Sequence, residues 1–422
     1  MKTLIYPALE EQMQTTVLDN GLRIFGIPRP NSAKNFAMLA ADFGSIDCSF
    51  TLDDIKYDVT PGIAHFLEHK MFEDKDGNAL QKFTANGAQP NAFTSHTMTA
   101  YHFTCTDQFY DNLEILLKFV TTPYFTDENV KKEKGIIGQE IGMLDDTPSW
   151  QAYVSVLAGL YAVHPVRISV AGTKETIAPI DPAILNICHR AFYSPANLAL
   201  TVCGQYDFDR VVRMAQELMP KESAHIAARE YGIEPEQAAL PYLEKKMAVS
   251  RPMFMLGCKD SPAEDNYRRQ LVGELAVNCV AGKSTALYDA LYQQGLADSS
   301  FDSDYFTFPQ GACAIFSGET SDPKRVAQML NDEMKHIVSE GLPQDVFERT
   351  KKAAYGRYIR RSNDSGEMCR LQTEACFSNA NYFDFAEVLH DITLEETEQR
   401  IRQFAKDGMS CLAVIAPQEA AK

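Results

Sequence analysis

Apolar and polar positions along the 422-residue chain run through one order of periods twice. In the first half, short apolar runs over 22–27 and 36–43, bounded by turn residues, predict strands. A helix is predicted over 80–86, with strands over 88–93 and 100–105 after it. Apolar residues at three- and four-residue intervals then predict helices over 107–121, 128–144 and 149–160. The half closes on the apolar run 198–203, with a helix following. The second half opens on the run 253–258, followed by helices over 267–279 and 284–294 and strands over 300–307 and 312–317. Helices over 323–339 and 345–362 and a strand over 411–415 complete it. Strands and helices segregate within each half, so the expected class is α+β, each half a sheet covered by helices.

Between the halves lies a polar, alanine-rich passage from Lys221 to about Leu240, with Pro235 inside it and Pro241 just after. That composition suits a surface linker. The expected division is a first domain over 1–225, a linker over 226–244 and a second domain over 245–422, in keeping with a chain too long for one core.

Charge and cysteine content narrow the picture. A formal net charge of -17 opposes nucleic-acid binding, which needs a clustered basic surface. Ten cysteines are scattered without a C-x-x-C pair, as suits buried thiols in a reducing compartment rather than a disulfide framework. The N-terminal stretch meets Pro7, Glu10 and Glu11 before any long apolar region, and no apolar run reaches the roughly 20 residues that span a bilayer. The expectation is a cytoplasmic protein without a membrane segment.

The chemistry concentrates in His65-Phe-Leu-Glu-His69. Thr60 and Pro61 predict a helix start, a cap hydroxyl followed by proline at the first helical position. His65 and His69 then share a face, four residues apart. Imidazole nitrogens are ordinary zinc ligands, and a catalytic zinc keeps three protein ligands plus a position for water. Glu68 would lean towards that water as a general base. This is H-E-x-x-H in reverse order. A third ligand must come from elsewhere, and Glu133 and Glu140, seven apart in the predicted helix over 128–144, share one face. Beside Lys131, Lys132 and Lys134, Glu133 could equally be a solvated helix residue. His96 and His102 have no ligand spacing and read as ordinary sheet histidines. Ala281-Gly-Lys-Ser-Thr285 lacks the glycine a phosphate-binding loop needs five residues before Gly282, where Val277 stands, and reads as a helix start.

Together, H-x-x-E-H at 65–69, the glutamate pair at 133 and 140 and Asn91-Ala-Phe-Thr-Ser95 between them resemble the insulinase or pitrilysin family of zinc peptidases. The resemblance implies that Glu140 is the third zinc ligand and Glu133 its supporting carboxylate. It also implies that Asn91, Ala92, Phe93 and Thr94 lie on an edge strand that pairs with a peptide substrate. Two homologous domains, each a mostly antiparallel sheet covered by helices, would form a clamshell half-chamber. Members that act alone carry an arginine and, seven residues later, a tyrosine near Gly-Leu-Ala. Here Leu291 and Asp298 stand at those places in Leu291-Tyr-Gln-Gln-Gly-Leu-Ala-Asp298, with Tyr288, Tyr292 and Tyr305 nearby. The pattern implies a catalytic subunit dimerised with a homologous chain that carries the Arg/Tyr pair. The alternative is a noncatalytic peptide-binding or scaffold subunit.

Overall fold

A computed structural model describes residues 1–75, 77–224, 226–263 and 265–418, and the chain gathers into two compact units. Unit 1 comprises Met1–Ile141, Ser169–Tyr231 and Ile359–Phe383. Unit 2 comprises Gly142–Ile168, Gly232–Tyr358 and Asp384–Lys422. Neither unit is one stretch of sequence. Helix Ser365–Phe377 packs on the sheet of unit 1 and helix Pro148–Leu160 on that of unit 2.

Unit 1 is built on strands β1 (Lys2–Tyr6), β2 (Glu11–Val17), β3 (Arg23–Pro28), β4 (Asn35–Ala41), β5 (Gln89–Thr94), β6 (Thr99–Cys105) and β7 (Leu198–Gly204). They form a seven-stranded sheet in the order β1-β2-β3-β7-β4-β6-β5. Every neighbouring pair is antiparallel except β3 with β7. β7 is buried along its whole length, as befits an apolar run with a strand on each side. Thr201 on β7 is the polar exception, and its hydroxyl bonds that of Thr373 at 2.9 Å, so neither buried group is left unpaired. Two helices matter for the site, α1 (Ile63–Met71) and α2 (Asp127–Asp145), and α1 packs against β5 and β6.

Unit 2 repeats the plan with β8 (Tyr242–Met247), β9 (Met253–Asp260), β10 (Asp302–Phe308), β11 (Gly311–Glu319) and β12 (Ser410–Pro417), in the order β8-β12-β9-β11-β10. Its one parallel pair, β8 with β12, matches β3 with β7. Helices α3 (Asn266–Ala281) and α4 (Gln344–Arg361) fall at the places in the order that α1 and α2 hold in unit 1. The class is α+β, with two domains of one topology.

The structure changes two readings of the sequence. Helix α1 begins at Ile63 rather than at Pro61, and its cap is Gly62 at φ 93°, with no side-chain capping bond. Pro61 and Gly62 run against the Ala171–Gly172 backbone, where a Cβ on Gly62 would lie 2.6 Å from the Ala171 carbonyl oxygen. A left-handed turn in so little room requires glycine, and Thr60 is displaced from the cap. Several elements also escaped the apolar pattern: β1, β2, β8 and helices Pro182–Phe192 and Leu394–Phe404. β8 reads Tyr-Leu-Glu-Lys-Lys-Met and sits at a sheet edge with no buried residue, and such polar edges keep strands from pairing wrongly. The Gly-Lys-Ser-Thr segment is a helix start, since the Thr285 hydroxyl accepts from the Tyr288 N–H at 3.2 Å.

Candidate metal centre

Helix α1 turns His65 and His69 to one side, and α2 brings Glu140 to meet them. Donor atoms from the three residues all lie within 4.8 Å of one another, and among the described residues no second such group of histidine, cysteine or carboxylate donors forms. His65 Nε2 stands 3.5 Å from Glu140 Oε1, and His69 Nε2 stands 3.5 Å from Glu140 Oε2. These separations are long for strong hydrogen bonds. They are close to the spacing of about 3.3 Å expected between tetrahedral ligands each roughly 2.0–2.1 Å from one zinc ion. Two imidazoles and one carboxylate thus suit zinc in chemistry, and each imidazole stands near that spacing from its own oxygen of Glu140.

Behind the donors, His69 and Glu68 have hydrogen-bond partners, whereas His65 Nδ1 is buried without one among the described residues. Glu133, buried on α2 one turn-pair before Glu140, accepts from His69 Nδ1 at 3.0 Å. That bond leaves Nε2 free to face the metal position. The solvated reading of Glu133 is thereby excluded. Glu68 is 7 % exposed, and the Thr94 hydroxyl donates to its Oε2 at 2.7 Å.

The electrostatics follow from this crowding. Burial raises the Glu68 carboxyl above its usual range, against the opposing pull of His65, the Thr94 hydroxyl and His69. Burial lowers His69, but the Glu133 bond and the charges of Glu68, Glu133 and Glu140 outweigh it and the net shift is upward. His65 beside Glu140 holds that carboxyl below its usual range. The result is a carboxylate of raised pKa next to three donors already brought together.

Asn91, Ala92, Phe93 and Thr94 lie on β5, which ends the sheet order and so has one free edge. Their partners on β6 run from His102 to Thr99. His102 stacks on Phe36 at 5.1 Å between ring centroids, and His96 Nδ1 meets the Ser45 hydroxyl at 3.1 Å. Neither histidine joins the metal cluster.

Sequence comparison matches residues 56–174 to the insulinase (peptidase family M16) model and residues 179–354 to the peptidase M16 inactive domain. The zinc protease YmfH of Bacillus subtilis, itself uncharacterized, is 34% identical over 98% of this chain and 99% of its own length. The chain belongs to the insulinase (M16) peptidase family. A solved structure described as an M16-like peptidase from Alicyclobacillus acidocaldarius superposes with a TM-score of 0.93 at 30% identity, covering 98% of this chain and all of that one. A chain of complex III2 from Candida albicans has a similar fold, at a TM-score of 0.77 with 10% identity over 96% of this chain and 95% of that one.

In this M16 chain the second unit has helices α3 and α4 at the places of α1 and α2, and they carry no histidine. Gln270 and Glu274 on α3 are four apart, as the histidines are on α1, and Tyr358 on α4 donates to both Glu274 oxygens at 3.2 Å. The Gln270 amide donates to the Tyr305 carbonyl at 2.5 Å and accepts from the Thr307 N–H at 3.0 Å. Both backbone groups belong to β10, the edge strand at the place of β5. The departures at 291 and 298 also have structural roles. Leu291 is fully buried, and Asp298 pairs with Arg251 at 3.0 Å while Arg251 also holds the Gly295 carbonyl at 2.9 Å. Of the three tyrosines nearby, Tyr305 is buried against Asp260, Tyr288 bonds the Asp298 carbonyl, and Tyr292 is 58% exposed. Sequence spacing gave no sign of the Thr94 to Glu68 bond or of Arg251. Both depend on chain segments brought together by folding.

Proposed function

We propose that the chain is a zinc-dependent endopeptidase hydrolysing unstructured peptides or processing segments, with His65, His69 and Glu140 as zinc ligands and Glu68 as the base. The convergence of those three donors beside a buried carboxylate carries this reading. Zinc held there would act as a Lewis acid and bring the pKa of a bound water to about 7. Glu68 takes the proton of the attacking water and delivers it to the leaving amine. Glu133 fixes the His69 ring by its Nδ1. The free edge of β5 pairs with the main chain of an extended substrate through Asn91, Ala92, Phe93 and Thr94, a mode that selects peptide shape over side chains. Along the sequence the catalytic half is residues 1–225, joined by 226–244 to a half without metal over 245–422, although 142–168 belongs to the second compact unit and 359–383 to the first. Ten free thiols support a cytoplasmic setting, and no helix among the described residues is long and apolar enough to cross a membrane.

Leu291 and Asp298 support a further step, that a homologous partner subunit supplies the arginine and tyrosine and completes a closed chamber. Oxyanion donors of this kind are worth about 10²–10³ in rate. The same two departures favour the second reading, a noncatalytic peptide-binding or scaffold subunit. One experiment separates them: zinc content and cleavage of a quenched unstructured-peptide library, for the purified chain and for Glu68→Gln, with and without lysate of its source. Stoichiometric zinc in both proteins, with cleavage only by the parent and only after lysate is added, is the expected result. Cleavage by the parent alone would remove the need for a partner. Neither zinc nor cleavage in any condition would establish the noncatalytic reading.

A further inference from the structure

Lys70 follows the second histidine directly, yet its side chain is 0% exposed. An ammonium taken out of water costs several kcal/mol unless anions surround it. Two do. Lys70 Nζ lies 2.6 Å from Glu73 Oε2 and 3.7 Å from Glu133 Oε2. The other oxygen of Glu133, Oε1, is the one that meets His69 Nδ1 at 3.0 Å.

A plain structural account is available: a lysine in the last turn of α1 complements the helix dipole and pairs with Glu73 three residues on. That account does not require burial. Glu73 keeps 24% of its side chain in solvent, so a Lys70 to Glu73 pair could form at the surface. What full burial adds is the approach to Glu133, whose own side chain is 7% exposed. A carboxylate held by one oxygen can swing about its Cγ–Cδ bond, whereas one engaged at both oxygens has a fixed plane. With the Lys70 charge 3.7 Å from one oxygen, that oxygen is drawn to the ammonium and the other stays directed at the His69 ring.

We propose that Lys70 is a positioning residue of the metal centre, its ammonium fixing Glu133 by Oε2 so that Oε1 holds His69 with Nε2 turned towards the metal. The inference rests on the zinc reading of His65, His69 and Glu140. It assigns Lys70 a place behind the supporting carboxylate, two contacts from the metal. Groups that orient a metal-ligating histidine from behind typically change metal affinity by 10–100-fold when removed.

The test is zinc affinity of the full chain, by competition with a chromophoric chelator, together with the absorption spectrum of the cobalt(II) form. The parent is measured first, and if it binds no zinc the zinc reading falls and takes this inference with it. If the parent binds zinc, Lys70→Met is expected to lose about 10–100-fold in affinity and to change the cobalt spectrum, with Lys70→Arg recovering most of both. Glu73→Gln removes the nearer ion pair but leaves Glu133 in place, and should stay within about threefold of the parent. A folded Lys70→Met with parental zinc affinity and spectrum would overturn the inference while leaving the zinc reading intact. Equal losses in Lys70→Met and Glu73→Gln would also overturn it, since the effect would then follow the surface pair. Should Lys70→Met fail to fold, Lys70→Gln carries the same comparison, and failure of both assigns Lys70 to the fold alone.

Discussion

At the residue scale, the site depends on which atom of each side chain is engaged. His69 offers Nε2 because Glu133 occupies Nδ1, and Glu68 points where it does because Thr94 holds Oε2. Thr94 therefore combines two placements, its backbone on the edge strand β5 and its hydroxyl on Glu68. A hydrogen bond to a charged group contributes about 1.5–3 kcal/mol, and roughly 1.4 kcal/mol is tenfold in rate. Thr94→Val is accordingly expected to lower kcat at least about tenfold while zinc stoichiometry stays at the parental level. Steady-state kinetics with metal analysis measure both, and an unchanged kcat would show that the hydroxyl does not position Glu68. The motif made Glu68, His65 and His69 legible from sequence because four-residue spacing on a helix is a local rule. The Thr94 bond was not legible, since it joins residues 26 apart through sheet packing.

At the element scale, the entry into α1 decides where the histidines point. The sequence suggested a threonine cap and an N-terminal proline. The structure instead uses a left-handed glycine, because the backbone of Ala171 and Gly172 fills the space a side chain would need. Replacing a positive-φ glycine by alanine costs more than about 1 kcal/mol where the conformation is strained. Gly62→Ala should lower the urea midpoint of unfolding and weaken zinc binding together, as the helix start shifts against 171–172. Parental values of both would mean that the turn tolerates a side chain. A similar lesson applies to β8, a strand of polar residues that periodicity passed over. Its partner β12 is apolar and central, and the pairing, not the composition of β8, makes it a strand.

At the scale of the whole molecule, two units of one topology carry separate cores, and the second buries a histidine that is expected to make it sensitive to acid. His164 is buried, and its Nε2 donates to the Pro309 carbonyl at 3.0 Å while Nδ1 accepts from the Val166 N–H at 3.1 Å. Burial lowers its pKa from 6.5 to about 4, with the Pro309 bond and Glu234 opposing and Lys259 assisting. The folded state therefore resists protonation more than the unfolded chain does. Its stabilising effect is complete above pH 6.5 and is lost as pH falls towards 4, to an extent of about 3 kcal/mol. Urea unfolding between pH 7 and 4.5 should show a shallower decline for His164→Asn than for the parent, and parallel slopes would remove His164 as the cause. Sequence by itself determined the H-x-x-E-H pattern, the glutamate-bearing helix and the twofold succession of strands and helices, because periodicity and i, i+4 spacing are properties of consecutive residues. The family resemblance singled out Glu140 and implied the β5 edge. Only the tertiary structure decided that helices Pro148–Leu160 and Ser365–Phe377 serve the other half's sheet, that Arg251 stands against Asp298, and that Lys70 lies buried behind Glu133. Each of those is a choice among many distant partners, made by burial and hydrogen-bond satisfaction after the chain has folded.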